Sequence, residues 1–80
     1  MNEQIKLEIT VYKPTGKFYS SCEVESPDIP YFEDEFVKFV RENLPAKYAG
    51  GYVVVRDLED GYGFHNCLFK MEDLYKCQLL

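Results

Sequence analysis

Eighty residues allow one domain, and 46% hydrophobic with 16% aromatic residues are enough for a core and too many for a disordered acidic tail. Nine Lys plus Arg against 14 Asp plus Glu leave a net charge of −5, which argues against a binder that neutralises nucleic-acid phosphates. The longest stretch without charge or proline, Tyr48 to Val55, is far shorter than the roughly 20 residues a membrane helix needs, and three cysteines disfavour a complete disulfide framework.

The start, Met1-Asn2-Glu3-Gln4, lacks the basic residues and apolar run of a secretory signal, so a soluble cytoplasmic protein is expected. Residues 4–12 then alternate: Ile5, Leu7, Ile9 and Val11 share one face, and Lys6, Glu8, Thr10 and Tyr12 share the other. That is the pattern of a half-buried strand. Pro14-Thr15-Gly16 signals a turn, and residues 18–25 alternate again. A loop of two residues (Thr15-Gly16) or four (Pro14 to Lys17) pairs Ile9 with Cys22, Leu7 with Val24, Lys6 with Glu25 and Tyr12 with Tyr19. A three-residue loop would set Leu7 against Glu23 and Ile5 against Glu25, so the first register is preferred. It leaves Glu8 opposite Glu23, a mildly unfavourable pair.

Ser26-Pro27-Asp28-Ile29-Pro30 breaks the strand and starts a helix predicted over about 29–44. Asp28 can cap it, Pro30 fits its first turn, and Glu33, Asp34 and Glu35 suit the positive end of its dipole. That acidic run reads as a solvated helix start. Phe32, Phe36, Val37, Phe39, Val40 and Leu44 fall on one broad face, and Asn43 with Pro45 marks the end. A third strand is predicted over 52–58 and a fourth over 62–70, joined by an Asp60-Gly61 hairpin turn. The tail, 71–80, has room for a single helical turn and ends in Leu79-Leu80.

The expected fold is therefore α+β, in the order β-β-α-β-β. One amphipathic helix packs on one face of a four-stranded, mostly antiparallel sheet of order 2-1-3-4. The predicted core includes Ile5, Leu7, Ile9, Phe32, Phe36, Val40, Val53, Val55 and Phe64.

The Asp60-Gly61 turn pairs Val53 with Leu68, Val55 with Asn66 and Asp57 with Phe64. Val53, Val55, Phe64 and Leu68 then face the helix. The other face carries Tyr52, Val54, Arg56, His65, Cys67 and Phe69, extended by Tyr12, Tyr19, Thr10 and Ser21 and rimmed by Glu8, Glu23 and Glu25. An apolar, aromatic patch inside a charged rim is the look of an interaction surface. Tyr12, Tyr19, Tyr52, Arg56, His65 and Phe69, with Glu8 and Glu23, are the predicted contact residues, toward a protein partner or a second copy. The competing reading folds the tail over the patch through Leu74, Leu79 and Leu80.

Catalytic and metal chemistry find little support. His65 and Cys67 lie on one strand face, but side chains two apart on a strand stand about 6–7 Å from each other, beyond hydrogen-bond reach. Cys22, His65, Cys67 and Cys77 lack zinc-ligand spacing, and the pairing above puts Cys22 and Cys67 on opposite faces. Asp57, Glu59 and Asp60 fit a hairpin turn better than a calcium loop, which needs a longer ligand series. Gly50-Gly51 follows a helix instead of opening one, and Gly61-x-Gly63 belongs to the turn. Expected are no enzyme activity, no cofactor or metal, no nucleic acid and no membrane.

In its hairpin–helix–hairpin plan, its Tyr-rich sheet and the run from Gly51 to Gly61 (Gly-Tyr-Val-Val-Val-Arg-Asp-Leu-Glu-Asp-Gly), the chain resembles small acidic single-domain proteins of bacteriophages and mobile elements. No named family motif is matched, and no functional residue is carried over. The resemblance implies an interaction protein that binds and inhibits a host protein, a defence nuclease for example, its acidic rim set in a basic groove. The alternatives are a small-ligand or nucleotide binder using the Tyr-rich face and a purely structural homodimer.

Overall fold

Strict alternation at the start of the chain makes a hairpin. In the computed structural model, which describes residues 4–27, 34–58 and 67–76, β1 is Gln4–Tyr12 and β2 is Phe18–Pro27. They pair antiparallel with Ile9 opposite Cys22, Leu7 opposite Val24 and Lys6 opposite Glu25. This is the register that keeps apolar residues together on one face.

Near the turn the ladder departs from expectation. Tyr12 lies opposite Phe18, not Tyr19, because the register shifts between Val11 and Tyr12. The loop is the cause. The Gly16 N–H donates to the Lys13 carbonyl and the Lys13 N–H to the Lys17 carbonyl, both at 2.8 Å, and Gly16 sits at φ 90°. This is a three-residue loop: a type I turn followed by a left-handed glycine. Continued as a straight ladder it would bring Leu7 against Glu23. One extra residue on β2, the bulge at Tyr19, cancels the shift and returns Leu7 to Val24. Turn chemistry and core alternation are both satisfied, and the bulge reconciles them.

The helix α1 is Asp34–Glu42. Asp34 and Glu35 occupy its first turn, where the dipole favours carboxylates. Phe36, Val37 and Val40 are buried, and Phe39 and Leu44 pack at the margin of the core. Asn43 ends it: its N–H is shared between the Phe39 and Val40 carbonyls, each at 3.1 Å, and its side-chain amide donates to the Phe39 carbonyl at 2.8 Å. Asp28, Pro30, Phe32 and Glu33, assigned above to the start of the helix, lie outside the described residues.

The returning chain reaches the sheet at Gly51, whose N–H donates to the Tyr48 carbonyl at 2.9 Å. A Cβ at Gly51 would run into the Tyr12 carbonyl oxygen, so only glycine fits this approach. Then follow β3, Tyr52–Asp57, and β4, Cys67–Lys70. The four strands form one antiparallel sheet in the order β2-β1-β3-β4. The architecture is α+β.

Two features correct the sequence reading. First, β4 pairs one residue away from the predicted register: Val53 lies opposite Phe69 and Val55 opposite Cys67. Because side chains alternate with period 2, that single step exchanges the faces of the strand. Cys67 and Phe69 pack toward the core, and Leu68 faces outward, 64% exposed. The Asp60-Gly61 turn, Phe64 and Asn66 lie outside the described residues.

Second, the described residues hold two helices. The second, α2, is Met71–Lys76 and follows β4 without a break. The Met71 N–H donates to the Gly51 carbonyl at 2.9 Å, which carries the β3–β4 pairing one step further, to the first residue of the helix. Met71 and Leu74 enter the same core as Phe36, and Arg41 of α1 donates from Nη1 to the Leu74 carbonyl at 2.8 Å. Leu74 is therefore a core residue on the helix side, not a cover for the other face. Leu79 and Leu80 lie outside the described residues.

The core gathers Leu7, Ile9 and Val11 of β1, Val53 and Val55 of β3, the apolar face of α1, and Met71 with Leu74. Val11, Val37, Met71 and Leu74 join the expected set, and Ile5 is only partly buried. Among the described residues no helix is long and apolar enough to cross a membrane.

Candidate interaction surface

Both helices pack on the face of Leu7, Ile9, Val53 and Val55. The opposite face is built by the alternate residues of the same strands, and the observed registers order it into rows. Phe18, Tyr12, Tyr52 and Lys70 form one row across the four strands. Ser21, Thr10, Val54 and Leu68 form the next. Glu23, Glu8 and Arg56 form a third. Rows lie about 7 Å apart along the strands and neighbours within a row about 4.8 Å apart.

Chemistry is segregated along this face. At the turn end, Phe18 is 61% exposed and Leu68 64%, with Tyr12, Tyr52 and Val54 half-buried between them. Tyr12, Gly16, Tyr52 and Leu68 border a hollow of about 330 Å³. At the other end the side chains are charged. Glu8 faces Glu23 on one side and Arg56 on the other, and the Arg56 Nε lies 3.4 Å from the Glu8 Oε1. The cation offsets the carboxylate repulsion, although so exposed a pair contributes under about 1 kcal/mol. Between the two ends Thr10 is buried, and its hydroxyl shares a 3.1 Å hydrogen bond with that of Ser21.

Of the eight predicted contact residues, Tyr12, Tyr52, Arg56, Glu8 and Glu23 share this face. Tyr19 does not lie opposite Tyr12: the bulge turns it to Tyr48, whose ring meets it edge-on at 4.9 Å. Phe69 is on the core side, its ring centroid 6.4 Å from that of Phe36. His65 lies outside the described residues. Phe18 and Leu68 are the contact-type residues that the sequence reading did not place here. The turn carried a signal for Phe18, since Gly16 suits the left-handed position of a three-residue loop. Lys70 carried one for Leu68, because the predicted register would have turned both toward the helix.

The cysteines give a second correction. Cys22 and Cys67 both lie on the core side, at the two ends of the row Cys22–Ile9–Val55–Cys67. Three strand spacings, about 14 Å, separate them, too far for a disulfide or a shared metal ion. Burial pushes the Cys67 thiol up to about 11 and raises that of Cys22 above its ordinary 9.0. The Cys22 Sγ also lies 3.5 Å from the Asn43 carbonyl oxygen. At neutral pH both are overwhelmingly thiols, the unreactive form. Native protein should therefore react at these two positions far more slowly than urea-unfolded protein when treated with a disulfide reagent at pH 8. Mass mapping of labelled peptides would check this, and labelling of Cys67 at the unfolded rate would contradict its burial. Among the described residues no three His, Cys, Asp or Glu side chains cluster as a metal site. Asp57, the first of the acidic residues before Gly61, is buried on the core side opposite Leu7. Glu59, Asp60 and Cys77 lie outside the described residues.

No family model, no curated protein and no solved structure matches this chain.

Proposed function

We propose that this chain is a non-enzymatic protein-interaction module, of the kind phages and mobile elements encode to occupy and inhibit a host protein, and that the open sheet face is its contact surface. One observation supports this most. The face away from the helices carries Phe18, Tyr12, Tyr52, Val54 and Leu68 together, where an antiparallel sheet in water normally shows polar residues. Interfaces are built this way, with aromatic and aliphatic anchors at the centre and charges such as Glu8, Glu23 and Arg56 at the rim.

Replacing Leu68 by Asp tests the reading. Leu68 is too exposed to hold the fold, so far-UV circular dichroism and the melting temperature should stay near wild type. Association, read as mass in solution or as retention of a bound protein, should be lost. Unchanged association in a folded Leu68→Asp protein would reject this face as the contact.

A second reading rests on the hollow bordered by Tyr12, Gly16, Tyr52 and Leu68, whose volume of about 330 Å³ falls at the small end of ligand pockets. Its walls come from one side of a sheet, however, and ligand sites usually enclose most of their ligand. A thermal-shift screen in which nucleotides or aromatic compounds raise the melting temperature would favour that reading.

A further inference from the structure

Resting on that reading, we propose that the occupant of the open face in the isolated protein is a second copy of the chain, related by a twofold axis that runs along the strands between β1 and β3. The rows select this arrangement. A twofold in that position exchanges β1 with β3 and β2 with β4, and it leaves each row facing itself. Tyr12 then meets Tyr52 of the second copy, and Thr10 meets its Val54. Phe18 meets Lys70 of the second copy, an aromatic ring against an ammonium group. In the charged row, Glu8 meets Arg56 of the second copy and Arg56 meets its Glu8. With the 3.4 Å pair inside each chain, the four groups alternate in sign around the axis. A twofold running across the strands through the middle row would instead press the Phe18–Tyr12–Tyr52 row onto Glu23, Glu8 and Arg56. The face is thus self-complementary in charge for one symmetry operation and not for the other.

Area agrees with this choice. The strands contribute nine, ten, six and four residues. Under this axis β1 overlaps β3 at the six positions they pair and β2 overlaps β4 at four, so at about 3.3 Å by 4.8 Å a residue each copy contributes on the order of 320 Å² in projection. Two such faces, about 640 Å² in projection before side-chain corrugation is added, fit a weak, concentration-dependent dimer smaller than the roughly 1,200–2,000 Å² of standard interfaces. Strands that run nearly parallel across the interface also belong to the aligned class of sheet-on-sheet packing.

The test exchanges charges between copies. Arg56→Glu places four carboxylates around the axis, and Glu8→Arg places four guanidinium groups there. Analytical ultracentrifugation should show a dimer for wild type and a dissociation constant raised at least about tenfold for each variant alone. An equimolar mixture of the two variants should recover a 1:1 dimer, because each then meets the opposite charge. Pairing confined within one chain cannot give that recovery. Should a variant fail to fold, contacts between the Tyr12 and Tyr52 rings of differently isotope-labelled wild-type copies replace it as the measurement. A monomeric wild type at about 1 mM, variants that dimerise like wild type, or a mixture that stays monomeric would each overturn self-pairing. A monomeric wild type whose bound protein is lost on Leu68→Asp keeps the interaction reading and overturns only this occupant. A monomeric wild type that unfolds on Leu68→Asp means the chain covers its own face, and both readings fall.

Discussion

Phe36→Ala should cost this protein roughly a quarter or more of its folding stability. Phe36 is fully buried between α1 and the sheet, with the Phe69 ring beside it, and it is the largest fully buried side chain among the described residues. Removing a buried ring costs about 3–5 kcal/mol, counting both lost transfer energy and the cavity left behind. At roughly 0.05–0.15 kcal/mol per residue, a chain of this length has only about 4–12 kcal/mol in all. Each kcal/mol moves the melting temperature of so small a domain by about 4–8 °C, so a fall of more than about 12 °C is expected. Thermal unfolding followed by circular dichroism measures it. A variant melting with wild type would show that the core is not built around this ring.

The sharpest contrast lies between neighbours on β4. Phe69→Asp should cost more than about 2 kcal/mol, because it sets a carboxylate against the core beside Phe36. Leu68→Asp should change stability by no more than about 0.5 kcal/mol, because that side chain already meets solvent. Urea titrations of both variants read the difference directly. The register implied by an Asp60-Gly61 two-residue turn, with Leu68 opposite Val53, predicts the opposite order. The pair therefore decides which face of β4 is buried.

This contrast also shows where the sequence was readable and where it was not. In the body of β1 and β2, beyond the Val11–Ser20 pair, the apolar residues sit on one side only: Ile5, Leu7 and Ile9 against Cys22 and Val24, with Lys6, Glu8 and Glu23 opposite. One register buries them, so alternation alone finds it. In α1 the spacing of Phe36, Val37 and Val40 and the stop at Asn43 were equally plain, because capping and amphipathicity agree. β4 offers no such asymmetry. Cys67 and Phe69 alternate with Leu68, so both faces look apolar over four residues and the turn was left to set the register. Only Lys70, two residues beyond Leu68, marked the outward side. α2 is six residues long, too short for helical periodicity to separate it from a single turn. The open face was legible as an aromatic surface, since Tyr12, Tyr52, Arg56, Glu8 and Glu23 all lie there. Its apolar anchors were misassigned, with Tyr19 and Phe69 standing in for Phe18 and Leu68, because each depends on a one-residue step in pairing.

The bulge at Tyr19 has a consequence for how such a surface can change over generations. Loop and bulge are two parity errors that cancel, so the hairpin tip and the hairpin body are insulated from each other. Eight residues separate the paired Val11 and Ser20; with one loop residue deleted, a straight ladder from that pair closes in a three-residue loop and needs no bulge. Tyr19 would then stand opposite Tyr12 on the open face in place of Phe18. Leu7 and Ile9 would keep Val24 and Cys22 as partners. A single-codon deletion could thus change what the open face presents, a phenol for a phenyl ring, without a compensating mutation anywhere in the core.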